Sequence, residues 1–124
     1  DIKGNPVTLS QVIKKRTLIV FWASWCTYCD ELLPEIKNWY DQLNSEDLTV
    51  VAISLDKSLT DWHKAVVKAG FEVFYNLSDL KEWDGEVTKM YNIYATPTMF
   101  LIDSDRRIIA RPVTFFELTE SMKL

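Results

Sequence analysis

The chain has two cysteines, and they stand three residues apart as Cys26-Thr27-Tyr28-Cys29. A thiolate is a nucleophile toward disulfides, and a second thiol one helical turn away can resolve the mixed disulfide that results. Zinc binding and a purely structural disulfide are the competing readings. A zinc site takes about four ligands, and the other soft candidate here is His63 alone. A disulfide inside one helical turn closes a very short loop, so it removes little chain entropy and stabilises weakly. Redox exchange is favoured, because C-x-x-C beside a strand–helix–strand pattern is a specific combination.

The flanking residues determine what the pair can do. Thr17 to Ala23 (TLIVFWA) is a continuous apolar run of strand length, as in a strand buried on both faces. After the cysteines, Leu32, Leu33, Ile36, Trp39, Tyr40 and Leu43 repeat at helical spacing. Cys26 therefore opens a helix, where free N–H groups and the helix dipole favour an anion. Such placement lowers a cysteine pKa from about 8.5 to somewhere in ~3.5–7.5. Cys26 is expected to be the exposed, attacking thiol and Cys29 the buried, resolving one.

The alternation continues along the chain. Leu48 to Ser54 reads as a second buried strand. Ser58-Leu59-Thr60-Asp61 resembles a capping box. Trp62, Ala65, Val66 and Ala69 then recur at helical spacing up to Gly70, a C-terminal cap. Phe71 to Leu77 is expected to be a third strand. Asp84-Gly85 marks a turn before a short helix around Val87, Met90 and Tyr91. Thr98 to Ile102 and Arg107 to Arg111 form a hairpin across Asp103-Ser104-Asp105-Arg106, and Phe116 to Leu124 is a terminal helix. This order predicts an α/β domain with a mixed central sheet and helices on both faces.

Composition agrees with one globular domain over residues 1–124. Hydrophobic residues make up 48 % and charged residues 26 % of the chain, and the aromatic content supplies a core. The net charge of −4 argues against nucleic acid, whose phosphates need Lys and Arg. The longest basic cluster, Lys14-Lys15-Arg16, reads as the solvated end of a turn. No apolar run reaches the roughly 18 residues a membrane span needs. The chain opens on Asp1 without a charged-then-apolar leader, and is read as a piece of a longer precursor or multidomain protein.

Other residues invite functional readings. His63 lies in the expected 59–69 helix and reads as a surface residue. Trp25 and Tyr28 are either ordinary core or an apolar rim around the sulfur. Asn76-Leu77-Ser78 fits a glycosylation sequon, which is common by chance.

Phe21-Trp22-Ala23-Ser24-Trp25-Cys26-Thr27-Tyr28-Cys29 resembles the active-site stretch of thioredoxin-fold proteins. Pro34 matches that family's helix proline, and Ala95-Thr96-Pro97-Thr98-Met99-Phe100 its cis-proline segment. From Cys26 to Pro97 is 97 − 26 = 71 positions, longer than in minimal thioredoxins, with the extra length around residues 57–90. With Gly4-Asn5-Pro6-Val7-Thr8-Leu9-Ser10 and Phe100-Leu101-Ile102-Asp103, this resembles the TlpA/ResA-like branch, related to AhpC/TSA-type folds.

The resemblance implies a thioredoxin-like fold with an extra αβ insertion, and thiol–disulfide exchange on protein disulfides in the reducing direction. Cys26 attacks, Cys29 resolves, and Trp25, Thr96 and Pro97 shape the substrate site. Thr96 offers its backbone N–H and C=O to an extended segment, and Pro97 is expected to be cis. No cofactor and no metal are needed. Partners are disulfide-bearing proteins and a thiol electron donor, with the domain a monomer on the extracytoplasmic side, tethered through regions outside this chain. The alternatives are a non-catalytic thioredoxin-fold binding module of a larger cell-envelope protein and a cytosolic thioredoxin-like domain. Two departures stand out. Thioredoxins bury an acid six residues before the first cysteine, where this chain has Val20. The narrower branch often has Glu six residues after it, where this chain has Leu32. Asp56 or Glu31 could substitute, although each reads as a solvated surface acid. The residues before Cys26 do not fit a peroxidatic site.

Overall fold

The computed structural model of the chain describes residues 1, 4–7, 16–43, 48–93 and 95–122. Parts of the opening 4–10 segment and of the 14–16 basic cluster, and the end of the expected terminal helix, lie outside these residues.

The strands are β1 (Thr17–Trp22), β2 (Thr49–Ser54), β3 (Tyr75–Leu77), β4 (Thr98–Ile102) and β5 (Ile108–Ala110). They form one mixed sheet in the order β3-β2-β1-β4-β5. β1 is the middle strand and every one of its residues is buried, which is why it reads as an unbroken apolar run rather than an alternating one. It pairs in parallel with β2, from Thr17 opposite Thr49 to Trp22 opposite Ser54. It pairs antiparallel with β4, with Phe21 opposite Thr98. Those registers bring the C-terminal ends of β1 and β2 and the start of β4 to one end of the sheet.

Helix α1 (Thr27–Gln42) links β1 to β2. Cys29, Leu32, Leu33 and Ile36 form its buried stripe, set by the 3.6-residue period. Pro34 lies inside it and, having no N–H, leaves one carbonyl of the first turn without its helical donor. Helix α2 (Leu59–Ala69) starts where the Ser58 side chain accepts from the Asp61 backbone N–H at 3.2 Å, the N-cap the sequence predicts. It ends at Gly70, whose φ of 74° is the left-handed conformation glycine adopts without strain. Trp62 and Val66 anchor its buried face.

The expected strand over 71–77 is shorter than the pattern predicted. Phe71–Val73 is a 3-10 turn and only Tyr75–Leu77 pairs with β2. The buried Asn76 amide explains the difference, because it donates to the carbonyls of Phe71 at 2.8 Å and Phe74 at 3.0 Å. Those bonds hold the preceding chain in a turn, and the rings of Phe71 and Phe74 meet edge to face at 4.8 Å. A second 3-10 turn at Glu82–Asp84 precedes helix α3 (Glu86–Met90). The β4–β5 hairpin closes on the Asp103 carboxylate, which accepts from the N–H groups of Asp105 and Arg107. Helix α4 (Phe115–Ser121) starts on a Thr114 cap, one residue earlier than expected.

Candidate active site

The end of β1 builds the site. After Trp22 and Ala23 the chain turns through Ser24 and Trp25, and Cys26 N–H donates to the Ala23 carbonyl at 3.1 Å. Cys26 is then the N-cap of α1, with its sulfur accepting from Cys29 N–H at 3.3 Å. One of the four free N–H groups at the start of a long helix is thus directed at Cys26 Sγ. The two cysteines form a disulfide. Cys26 keeps 7 % of its surface in contact with solvent and Cys29 keeps 1 %. Cys26, expected to be exposed, is thus buried within the disulfide, although less completely than Cys29.

Asp56 holds the turn from behind. It lies just past the end of β2, buried to 2 % exposure, and accepts from three donors. These are Ser24 N–H (3.1 and 3.2 Å to the two oxygens), the Ser24 hydroxyl and the Ser54 hydroxyl. Its own N–H donates to Ser54 Oγ at 3.0 Å. This corrects the expectation of a solvated surface acid. Acids are seldom buried because desolvation is costly, but here several donors replace the lost water. Glu31 is exposed, as is Asp30, so both carry their charge in solvent beside the first turn of α1. His63 is on the exposed face of α2, as expected.

The register β1–β4 carries the Thr96-Pro97 loop to the same end of the sheet, because Thr98 sits opposite Phe21. The Thr96–Pro97 peptide is cis. Both residues are half-buried, and the Thr98 hydroxyl ties back to the Ala95 carbonyl at 2.7 Å. Trp25 and Tyr28 are 52 % and 48 % exposed, so neither is core.

Two features escaped the sequence. The burial of Asp56 is one. The other is Trp83, whose ring lies 6.1 Å from that of Trp25 at a 51° tilt while remaining 37 % exposed. The insertion therefore folds back onto the rim of the disulfide. A Lys57–Glu82 pair at 3.7 Å links the same 3-10 turn to the segment after β2. A cavity of about 370 Å³ between α1 and α2 borders Cys29, lined also by Trp22, Ser24, Leu33 and Lys64. Beneath the rim, Tyr91 packs on Phe21 and Phe100, and burial pushes its phenol above the ordinary pKa of 10.0. Among the described residues, no group of three or more His, Cys, Asp or Glu could hold a metal ion, and no helix is long and apolar enough to cross a membrane.

Comparison with known proteins agrees with this architecture. The thiol-disulfide oxidoreductase ResA of Bacillus subtilis is 27 % identical over 122 residues, 98 % of this chain and 65 % of the relative. The sporulation thiol-disulfide oxidoreductase A of the same organism is 30 % identical over 109 residues, 86 % of this chain and 64 % of the relative. The chain thus spans just under two thirds of the length of these curated relatives. Among solved structures, a thiol-disulfide oxidoreductase from Bacteroides fragilis superposes with a TM-score of 0.89 at 27 % identity, covering 99 % of this chain and 91 % of that one. The thioredoxin domain of a thiol-disulfide oxidoreductase from Bacteroides vulgatus gives 0.87 at 25 % identity, covering 99 % and 87 %. The fold is thioredoxin-like, a mixed five-stranded sheet flanked by helices. The Redoxin family model matches residues 1–121, and the chain belongs to that family.

Proposed function

We propose that this domain exchanges disulfides with protein substrates and works in the reducing direction. Cys26 as thiolate attacks a substrate disulfide, forming a Cys26–substrate bond and expelling one substrate thiolate. Cys29 as thiolate then attacks Cys26 Sγ, closing the Cys26–Cys29 disulfide and releasing the second substrate thiol. The substrate gains two electrons and two protons, and the domain loses them. An external dithiol donor restores the reduced pair. Trp25 and the Thr96-Pro97 loop receive the substrate segment, the loop through the backbone N–H and C=O of Thr96. The resemblance to the TlpA/ResA-like branch supports an extracytoplasmic location for this chemistry.

The observation that carries the reading is Cys26 at the N-cap of α1 with Cys29 N–H on its sulfur, one turn from a more deeply buried partner. The first turn also carries Asp30, with Glu31 beside it, and no basic residue stands between the cysteines. These negative charges oppose thiolate formation while the helix terminus favours it, which points away from a strong oxidase. Insulin reduction driven by dithiothreitol tests the activity. Repeated turnover is expected, with loss in Cys26→Ser and accumulation of mixed disulfides in Cys29→Ser. Absence of turnover in the wild type would leave a binding module. Equilibration against glutathione buffers tests the direction, and a potential near the strong-oxidant end, about −120 mV, would refute it.

A further inference from the structure

We propose that Trp83 is a specificity-determining residue of this site. With Trp25 it forms an aromatic platform that selects substrate segments carrying a cationic side chain, arginine above all, next to the cysteine. This rests on the exchange activity proposed above. A sulfur that reaches Cys26 arrives beside Trp25, which precedes it in the chain. The residue adjoining that sulfur therefore lies within reach of the Trp25–Trp83 pair. The two rings stand 6.1 Å apart and both remain partly open to solvent. Arg111 lies over the Phe100 ring, 5.0 Å from its centroid, and not over the Trp25–Trp83 pair.

Charge selects among possible occupants. Trp83 sits between Glu82 and Asp84 in its 3-10 turn, and Asp84 is exposed. On the other side of Cys26, the start of α1 carries exposed Asp30 and Glu31. Lys57, paired with Glu82, and exposed Lys81 before it balance the two acids flanking Trp83, so the excess negative charge is carried by Asp30 and Glu31. An excess of acids around a pair of exposed indoles favours a cation, since the ring quadrupole and the acids attract the same sign. Arginine fits better than lysine because its planar guanidinium stacks on indole while donating hydrogen bonds at its edge. An acidic neighbour would meet like charge and be disfavoured.

Disulfide-linked peptide dimers differing only in the residue before the cysteine (Arg, Phe or Glu) provide the test. Steady-state reduction by the full chain, recycled by a dithiol, is followed by chromatographic separation of monomeric from dimeric peptide in acid-quenched samples, with the rate of the dithiol alone subtracted. Arg is expected to exceed Glu in kcat/KM by about three- to tenfold at low salt, from a cation–π contact together with rim charge. The gain should lie mainly in KM and shrink as salt rises. Trp83→Ala should cut the Arg/Glu ratio by about two- to fivefold, Trp83→Phe should keep an intermediate ratio, and Asp84→Asn should lower it at unchanged Trp83. Circular dichroism of each variant establishes that it is folded. Should Trp83→Ala not fold, the Trp83→Phe and Asp84→Asn ratios decide. An Arg/Glu ratio that folded Trp83→Ala leaves unchanged would overturn the proposal, as would one that Trp83→Phe and Asp84→Asn both leave unchanged where the alanine variant does not fold, or Phe exceeding Arg in the wild type. If the wild type reduces none of the three peptides, the exchange activity itself fails.

Discussion

Asp56→Ala removes one buried carboxylate and leaves three donors without their acceptor. A hydrogen bond to a charged group contributes about 1.5–3 kcal/mol, and Ser24 N–H, Ser24 Oγ and Ser54 Oγ each make one. Simple addition gives about 4.5–9 kcal/mol, which overshoots for two reasons. The serine hydroxyls can rotate toward other acceptors or water, so only the backbone N–H of the half-buried Ser24 is stranded. Burying the carboxylate also cost desolvation, which the alanine variant recovers. A net loss of about 3 kcal/mol remains. Urea unfolding of the oxidised protein, with the disulfide intact, measures it. For an m-value of about 1–3 kcal/mol/M the midpoint should fall by about 1–3 M. Asp56→Asn should lose roughly half as much, because its amide oxygen still accepts from Ser24 N–H and its NH2 can donate to Ser54 Oγ. The exposed acid Glu31 serves as control, and Glu31→Ala should stay within about 0.5 kcal/mol of wild type. A loss below about 0.5 kcal/mol for Asp56→Ala would refute the reasoning, because the three bonds would then offset nothing beyond the desolvation of the group that accepts them.

Tyr91 sets a limit at alkaline pH. Its phenol is held above 10.0 in the folded chain, so the unfolded chain loses that proton first, and stability present below about pH 10 falls as pH rises toward the folded value. Tyr91→Phe should flatten that decline, as measured by chemical denaturation between pH 8 and about 11; an unchanged slope would count against the shift. Gly85 tests the insertion. A Cβ there would fall on the carboxylate oxygens of Asp79, whose Oδ1 accepts from Lys81 N–H at 3.0 Å. Gly85→Ala should push the exposed Asp79 carboxylate aside and destabilise by about 1 kcal/mol, the worth of its bond to Lys81 N–H, in thermal unfolding, and should also change the fluorescence of the adjoining Trp83. An alanine variant as stable as wild type would show that the Asp79 turn yields freely.

Legibility from the sequence followed the range of the interactions. β1, β2 and α1 were readable because burial on both faces leaves an unbroken apolar run, and a single buried stripe leaves a 3.6-residue period. Both are local consequences of global burial. Ser58 and Gly70 were readable because capping is chemistry within one turn. The strand expected at 71–77 failed on Asn76, since side-chain bonds to carbonyls two and five residues back do not alter hydrophobic periodicity. Asp56 failed for a longer-range reason. Its donors include Ser24, 32 positions away in sequence, and only the β1–β2 register brings the two together. The sequence does hold a weak local sign, a serine two residues before an acid at a strand end, but the same pattern suits a solvated turn. Trp83 is the extreme case. Nothing in Lys81-Glu82-Trp83-Asp84 distinguishes an aromatic that covers core from one that meets Trp25 across the rim. That contact exists because the insertion returns from the β3 edge toward the end of the sheet where β1 delivers Cys26. The cysteine pair and the helix it opens lie within a few residues of each other, so a short stretch of sequence specifies the reacting atoms. The Trp25–Trp83 rim is assembled from separate loops, and it becomes visible only once the sheet has set their positions.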